Sequence, residues 1–176
     1  MIEVFTKGLV LDKEIDDKDG LFTIFTEVLG KVRGRATSSR KITSKLAAHL
    51  EPGCFSAIRL VQKTSGNGFR VIDALTEKKM LLRETPEILF LADKMTAPGQ
   101  PDQRMFAYLK KLAVTGEISS GWKREILTIA GFDPAGASCD LCGSKSFAYF
   151  SSRDIMFLCE RCLKRNPDCR EGLIRL

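Results

Sequence analysis

The sequence predicts an α+β protein: an N-terminal five-stranded OB-fold β-barrel, then a small α-helical domain that carries a four-cysteine zinc-ribbon-like element. Three observations lead there. Short β-rich runs separated by turn residues fill the first 80 or so positions, the hydrophobic period becomes helical after residue 80, and two C-x-x-C pairs stand with 16 residues between Cys142 and Cys159. The expected segments are 1–80 for a nucleic-acid-binding barrel, 81–137 for the helical domain and 138–176 for a zinc-binding element packed on it.

Each element has its own signal. MIEVFTKGLVLDKEI is a β-rich opening, DDKDG a turn, LFTIFTE an alternating strand, and KVRGRATS a third strand after Gly30. A short helix in TSKLAAHLE stops at Pro52 and Gly53. CFSAIRLVQK and FRVIDALTE then flank TSGNG, a hairpin signal. Five strands with one small helix between the third and fourth is the order of an OB-fold barrel. Further on, Thr85 and Pro86 read as the N-cap and first position of a helix through PEILFLADKM, and PDQRMFAYLKKLAVTG and SSGWKREILTIAGF repeat apolar residues at three and four spacing. APGQP separates the first two helices, and Gly131 followed by Pro134 closes the third. FAYF and IMFL flank SSRD as a small hairpin between the cysteine pairs.

Composition narrows the class. With 176 residues, 44% of them hydrophobic, the chain can build one ordinary domain or two small ones, so disorder is not the default. No basic start precedes an apolar run and a cleavage site, and no apolar stretch of about 18 residues exists to span a bilayer. The expectation is a soluble cytoplasmic protein with no membrane partner. Six cysteines are too few for a disulfide scaffold of this size, which fits a reducing compartment. The net charge of +6 is spread evenly: 12 cations face 9 anions up to residue 75, and 16 face 13 beyond it. Charge balance alone therefore points only weakly to nucleic acid.

The cysteine pattern is the strongest chemical signal. Zinc prefers soft thiolates in a tetrahedron, and two C-x-x-C turns across a hairpin present four sulfurs to one point. Cys139, Cys142, Cys159 and Cys162 are the expected ligands of one structural Zn2+, with Gly143 suiting the tight turn of the first knuckle. Binding zinc through four thiolates would lower the effective net charge to about +4. A closed four-sulfur shell leaves no position for an activated water, so no catalysis is expected there. Cys54 reads as a buried strand residue and Cys169 as a spare thiol.

The second signal is KVRGRATSSRKITSK. From Val28 to Leu50 the chain carries Lys31, Arg33, Arg35, Arg40, Lys41 and Lys45 and no acid. On a strand, Lys31, Arg33 and Arg35 share a face at steps of about 7 Å, close to the phosphate spacing of a single strand. A solvated basic face with no partner is the bland alternative, and the lack of any acid over these 23 residues favours a binding surface. Phe5, Phe22, Phe25, Phe55 and Phe69 fall in strands and read as core rather than as stacking platforms, as do Tyr108 and Trp122 on helices.

Enzyme signatures fail. His49-Leu50-Glu51 has the H-x-E of zinc deaminases, but no Pro-Cys precedes either C-x-x-C pair. Asp16, Asp17 and Asp19 before Gly20 would place Ile15 and Thr26 at the first and last positions of a calcium loop, so they read as a solvated turn. Gly30-Lys31 lacks the remainder of a phosphate-binding loop. With a single histidine, which reads as a surface or helix-end residue, acid-base catalysis has few players. Two other classes stay open on these residues: a zinc-ribbon RNA- or protein-binding module of the transcription or translation machinery, and a metal-dependent nucleic-acid hydrolase, for which no carboxylate cluster speaks.

Two blocks carry a resemblance. LFTIFTEVLGKVRGRATSSRKITSKLAAHLEP resembles the N-terminal core of the bacterial recombination mediators of the RecO family, where a T-x-x-x-G turn leads into a basic A-x-x-x-R-K-x-x-S-K segment. REILTIAGFDPAGASCDLCG is similar to that family's helix, G-F-x-P turn and first zinc knuckle. The resemblance implies an N-terminal OB-fold, a helical domain and a four-cysteine zinc site. It implies binding of single- and double-stranded DNA, annealing of complementary strands, and work with RecR to replace single-strand-binding protein by RecA, in the bacterial cytoplasm at the nucleoid. Arg40, Lys41, Ser44 and Lys45 match the basic segment, with Lys31, Arg33 and Arg35 leading into it. Thr37 and Ser38 depart from the family's usual lysine and glycine, which weakens the expected DNA contact there. This sequence has 14 residues after Cys162 where relatives usually continue through further helices, so the resemblance leaves open any pocket those helices help form, including one for the tail of single-strand-binding protein.

Overall fold

Eight strands and five helices follow one another in a computed structural model that describes residues 2–16, 19–37, 45–62 and 68–176, without the side chains of Asp16 and Lys45. The first five strands are β1 (Ile2–Asp16), β2 (Asp19–Thr26), β3 (Gly30–Ala36), β4 (Cys54–Gln62) and β5 (Phe69–Lys79). They close in the order β1-β2-β3-β5-β4, with β4 returning to β1. β1 serves two neighbours because it is long and bent: Ile2–Leu9 pair with β4, Gly8–Asp16 with β2, and the register slips between Val10 and Asp12. The remaining closure is narrow. Among the described residues, β3 and β5 run parallel and share the pairs Gly34↔Phe69 and Arg35↔Arg70.

Strand alternation fills the barrel. Phe22 and Ile24 of β2, Val32 and Ala36 of β3, Ile58 and Leu60 of β4, and Val71 and Ala74 of β5 point into one core, which Val10 and Leu50 complete. A second apolar layer lies outside, where Phe106 of α3 (Gln103–Thr115) meets Phe25 at 6.1 Å and Phe55 at 5.8 Å between ring centroids. The β2–β3 turn is tied by Thr26, whose hydroxyl donates to Gly30 O at 2.9 Å and accepts from Leu29 N at 3.0 Å. Gly30 has φ +66°, and a Cβ there would lie 2.2 Å from the backbone of Gln100, so the close approach of the segment before α3 needs glycine at this position.

Some elements differ from expectation. Among the described residues the helix α1 runs Lys45–Ala48 and ends before His49, earlier than the stop at Pro52 that TSKLAAHLE suggests. His49 just after it accepts from Thr76 N at 3.2 Å through Nδ1, and Ser56 donates to its carbonyl at 2.7 Å, so it fastens this turn to β4 and β5. In α2 (Thr85–Met95) the N-cap is Glu84, not Thr85; Thr85 spends its hydroxyl on Leu82 N, at 3.1 Å, in the preceding turn. α3 has the expected ends: Asp102 accepts from Arg104 N and Met105 N, and Gly116 closes it at φ +66°.

Residues 1–118 form one compact unit and 119–176 another, so α2 and α3 group with the barrel and the third predicted helix groups with the cysteines. In the second unit α4 (Trp122–Ile129) precedes β6 (Tyr149–Ser151) and β7 (Met156–Leu158), the hairpin expected around SSRD. A strand absent from the sequence reading, β8 (Leu173–Arg175), adds to the other edge of β6 and gives the order β7-β6-β8. Phe150 is fully buried and stacks between Phe132 and Phe157 at 5.6 and 5.1 Å. Among the described residues no helix is long and apolar enough to cross a membrane.

Candidate metal centre and nucleic-acid interface

The four cysteines come together. Cys139 and Cys142 sit on a turn in which Gly143 N donates to Cys139 O at 2.7 Å and Cys139 N to Ser144 O at 2.8 Å; Gly143 takes φ +70°, as the knuckle requires. Cys159 caps α5 (Glu160–Arg165), its sulfur accepting from Cys162 N at 3.4 Å, which aims Cys162 back toward the first pair. All four Sγ atoms lie within 4.8 Å of one another, and Cys142 Sγ is 3.7 Å from Cys159 Sγ. A tetrahedral thiolate shell with metal–sulfur bonds of about 2.3 Å has sulfur–sulfur edges of about 3.8 Å, so this donor set fits one such ion. It is the one such cluster among the described residues.

The thiols are electrically primed for a cation. The Ser144 amide, helped by the thiols of Cys162 and Cys139, brings Cys142 down to about 6. Cys162, tied up chiefly by its hydrogen bond to Cys142 and by burial, is pushed up to about 12. Arg161 stands against this group: its hydrogen bond to Cys142, then its attraction to Cys142, Cys159 and Cys162, raises its own pKa. Sequence reading passed over Arg161, although its place inside C-E-R-C marks it as a neighbour of the sulfurs. It supplies the positive charge that four thiolates around one divalent ion leave uncompensated.

On β3, Lys31, Arg33 and Arg35 alternate with buried Val32, Gly34 and Ala36, so the three cations share the outer face. The acids missing along the chain arrive through space. Lys31 Nζ donates to Asp93 O and sits 3.1 Å from Asp93 Oδ1 in the last turns of α2; its side chain is only 15% exposed. Arg33 lies 3.9 Å from Glu14 and Arg35 3.7 Å from Asp19, and both stay in solvent, at 65% and 47% exposure. The row thus splits into one cation bound into the α2 end and two presented outward. Beside them a groove of about 750 Å³ is lined by Thr23, Arg33, Phe69 and Lys94, with Asp12 and Glu14 on its wall.

Among the described residues, the remaining candidates add no thiol ligand and no outward cation to these two sites. Arg40, Lys41 and Ser44 lie outside the described residues, as does the side chain of Lys45, whose backbone opens α1. Phe22, Phe25 and Phe55 are core and Phe69 is half-buried, but Phe5 is not: it is 71% exposed, with Arg59 5.4 Å above its ring. Trp122 is buried in α4 and Tyr108 half-buried on α3. Cys54 is buried in the barrel, and Cys169 packs beside the four-thiol cluster without joining it.

A closed five-stranded barrel with a parallel β3–β5 seam is an OB-fold, here joined in one chain to a four-cysteine metal element. Residues 1–77 match the family described as Recombination protein O N terminal. The DNA repair protein RecO of Alkaliphilus metalliredigens is 27% identical over 177 residues, covering 89% of this chain and 71% of that protein. RecO of Bacillus subtilis is 27% identical over 184 residues, 92% of this chain and 69% of its own length. RecO of Desulforudis audaxviator is 26% identical over 189 residues, 97% and 76% respectively. Residues 1–77 are thus similar to the N-terminal part of the RecO proteins, and the similarity to those proteins runs along most of the chain.

Proposed function

We propose that the protein is a recombination mediator in DNA repair with no catalytic chemistry of its own. It binds single- and double-stranded DNA, anneals complementary strands, and with RecR helps RecA replace single-strand-binding protein. The observation behind this reading is the outward pair Arg33 and Arg35 on a barrel strand within the RecO-matching residues. The cationic run continues through Arg40, Lys41 and Lys45, with Ser44 between them as a hydrogen-bonding partner for phosphate. Cations along the barrel neutralise phosphate charge on two strands and so lower the repulsion that opposes pairing, while base pairing supplies the sequence recognition.

The ion pairs set the cost of this step. Glu14 and Asp19 must yield Arg33 and Arg35 to phosphate, which is cheap for exposed pairs worth about 0–1 kcal/mol. In the second unit the group held by Cys139, Cys142, Cys159 and Cys162 is one zinc ion, which folds that unit and, with its shell closed by four sulfurs, activates no water.

Measuring affinity for a single-stranded oligonucleotide across a salt series tests the reading. With four to six cations on phosphate, log affinity falls against log salt with a slope of about −3 to −4. A slope near zero would remove the electrostatic account.

A further inference from the structure

We propose that Arg70 of β5 and Arg35 of β3 form a phosphate clamp across the barrel seam, which carries the nucleic-acid path off β3 and onto β5. This rests on the nucleic-acid reading above and names where a phosphodiester sits. Sequence places the two arginines 35 residues apart; the parallel pairing Arg35↔Arg70 makes them direct neighbours. Each is exposed between inward-facing residues, so both side chains leave the same face of the barrel, from strands about 4.8 Å apart.

Like charges placed directly opposite on adjacent strands are destabilising. Among the described residues they occupy one of the two register pairs that join β3 to β5. The rung that contains them does not relieve the repulsion: it runs Glu14, Leu21, Arg35, Arg70, Val61, Glu3, so each arginine has an apolar residue as its next neighbour and the acids lie a strand further on. Arg35 reaches Asp19 at 3.7 Å on its β2 side, whereas no carboxylate among the described residues pairs with Arg70. An anion between the two guanidiniums converts this repulsion into two charge-assisted contacts, and arginine's planar fork suits phosphate oxygens. The clamp also continues an existing surface. Arg33 stands two residues along the same face of β3, and Phe69, beside Arg70, lines the groove next to it.

The test compares the full chain with its Arg70→Gln and Arg70→Lys variants. A 20-mer of deoxythymidine is titrated across a sodium chloride series, and thermal midpoints are read with and without inorganic pyrophosphate. The clamp predicts a log-log slope shallower by about 0.7 in Arg70→Gln, the loss of one single-strand phosphate contact, and restored in Arg70→Lys. It also predicts that Arg70→Gln without ligand melts no lower than the parent, because a repulsion has gone. If the parent binds the oligonucleotide and Arg70→Gln keeps the parent slope, the clamp is wrong while the nucleic-acid reading stands. If the parent binds no oligonucleotide, that reading fails, and pyrophosphate decides the clamp: a stabilisation lost in Arg70→Gln supports it as a free polyphosphate site, and an equal shift in both proteins ends it. A lower midpoint for ligand-free Arg70→Gln would mean that the pair holds the seam, which also overturns the proposal.

Discussion

Lys31 and Arg33, two positions apart on one strand, have been given different work by residues far away in the chain. Lys31 closes on a backbone carbonyl and a carboxylate at the end of α2, and the Lys31 carbonyl accepts from Gly99 N at 2.9 Å. Replacing Lys31 by Ala removes the more buried of the two cations on Asp93 and leaves it only the exposed Lys94, 3.5 Å away, so we expect a loss of about 1 kcal/mol in urea unfolding and little change in DNA affinity at matched salt. Arg33→Ala should do the reverse: near-parental stability, because its pair with Glu14 is exposed and long, and a weaker, less salt-dependent complex. Equal effects of both substitutions on binding would show that the split is not real. The sequence showed that these side chains alternate outward, since Val, Gly and Ala between them face the core. It could not show Asp93, 62 residues away, taking one of them.

At the scale of the element, the convergence of the four cysteines was legible in the sequence and the sheet beside them was not. C-x-x-C spacing fixes where sulfurs converge whatever the surroundings, whereas β8 is three residues long and pairs by register with a strand 22 positions earlier, too short for a period to reveal it. α1 stops at Ala48 for a similar reason, because His49 turns away and accepts from Thr76 N. Chelating the metal, or Cys142→Ser, should loosen residues 139–176 while the barrel keeps its slow amide exchange, measured by hydrogen exchange; loss of protection in β2 and β4 as well would mean that the two units do not fold separately. Because Cys142 already sits at about 6, it is a thiolate at pH 7.5 and gives up no proton to the metal. Zinc uptake at that pH should release fewer than four protons per ion, read from calorimetry in buffers of different ionisation enthalpy. The sign follows from the shift: Cys142 is held below the ordinary 9.0, so its contribution to the metal-free fold is complete above 9.0 and lost as pH falls through about 6.

For the whole molecule, the order of strands and one small helix foretold the barrel because binary alternation and turn residues are local signals. How the chain divides was harder to read. The helical period begins after residue 80, yet Phe106 of α3 packs on Phe25 and Phe55 of the barrel, a contact that no pattern within α3 announces. Function follows the same gradient: the resemblance to RecO could be read from SRKITSK and CDLCG, while the ion pairs that temper the cationic face and the arginine pair at the seam depend on the closed barrel. The central claim is that this face brings two nucleic-acid strands together by neutralising their charge, with no bond made or broken. The measurement that tests it most directly is annealing of complementary oligonucleotides, free and coated with single-strand-binding protein, across a salt series. The account predicts faster pairing than in buffer alone, an advantage that fades as salt rises, and loss of most of it when Arg33, Arg35, Arg40 and Lys41 are all replaced by Ala. Annealing no faster than the uncatalysed reaction at every salt concentration, in a protein that still binds both strands, would contradict it.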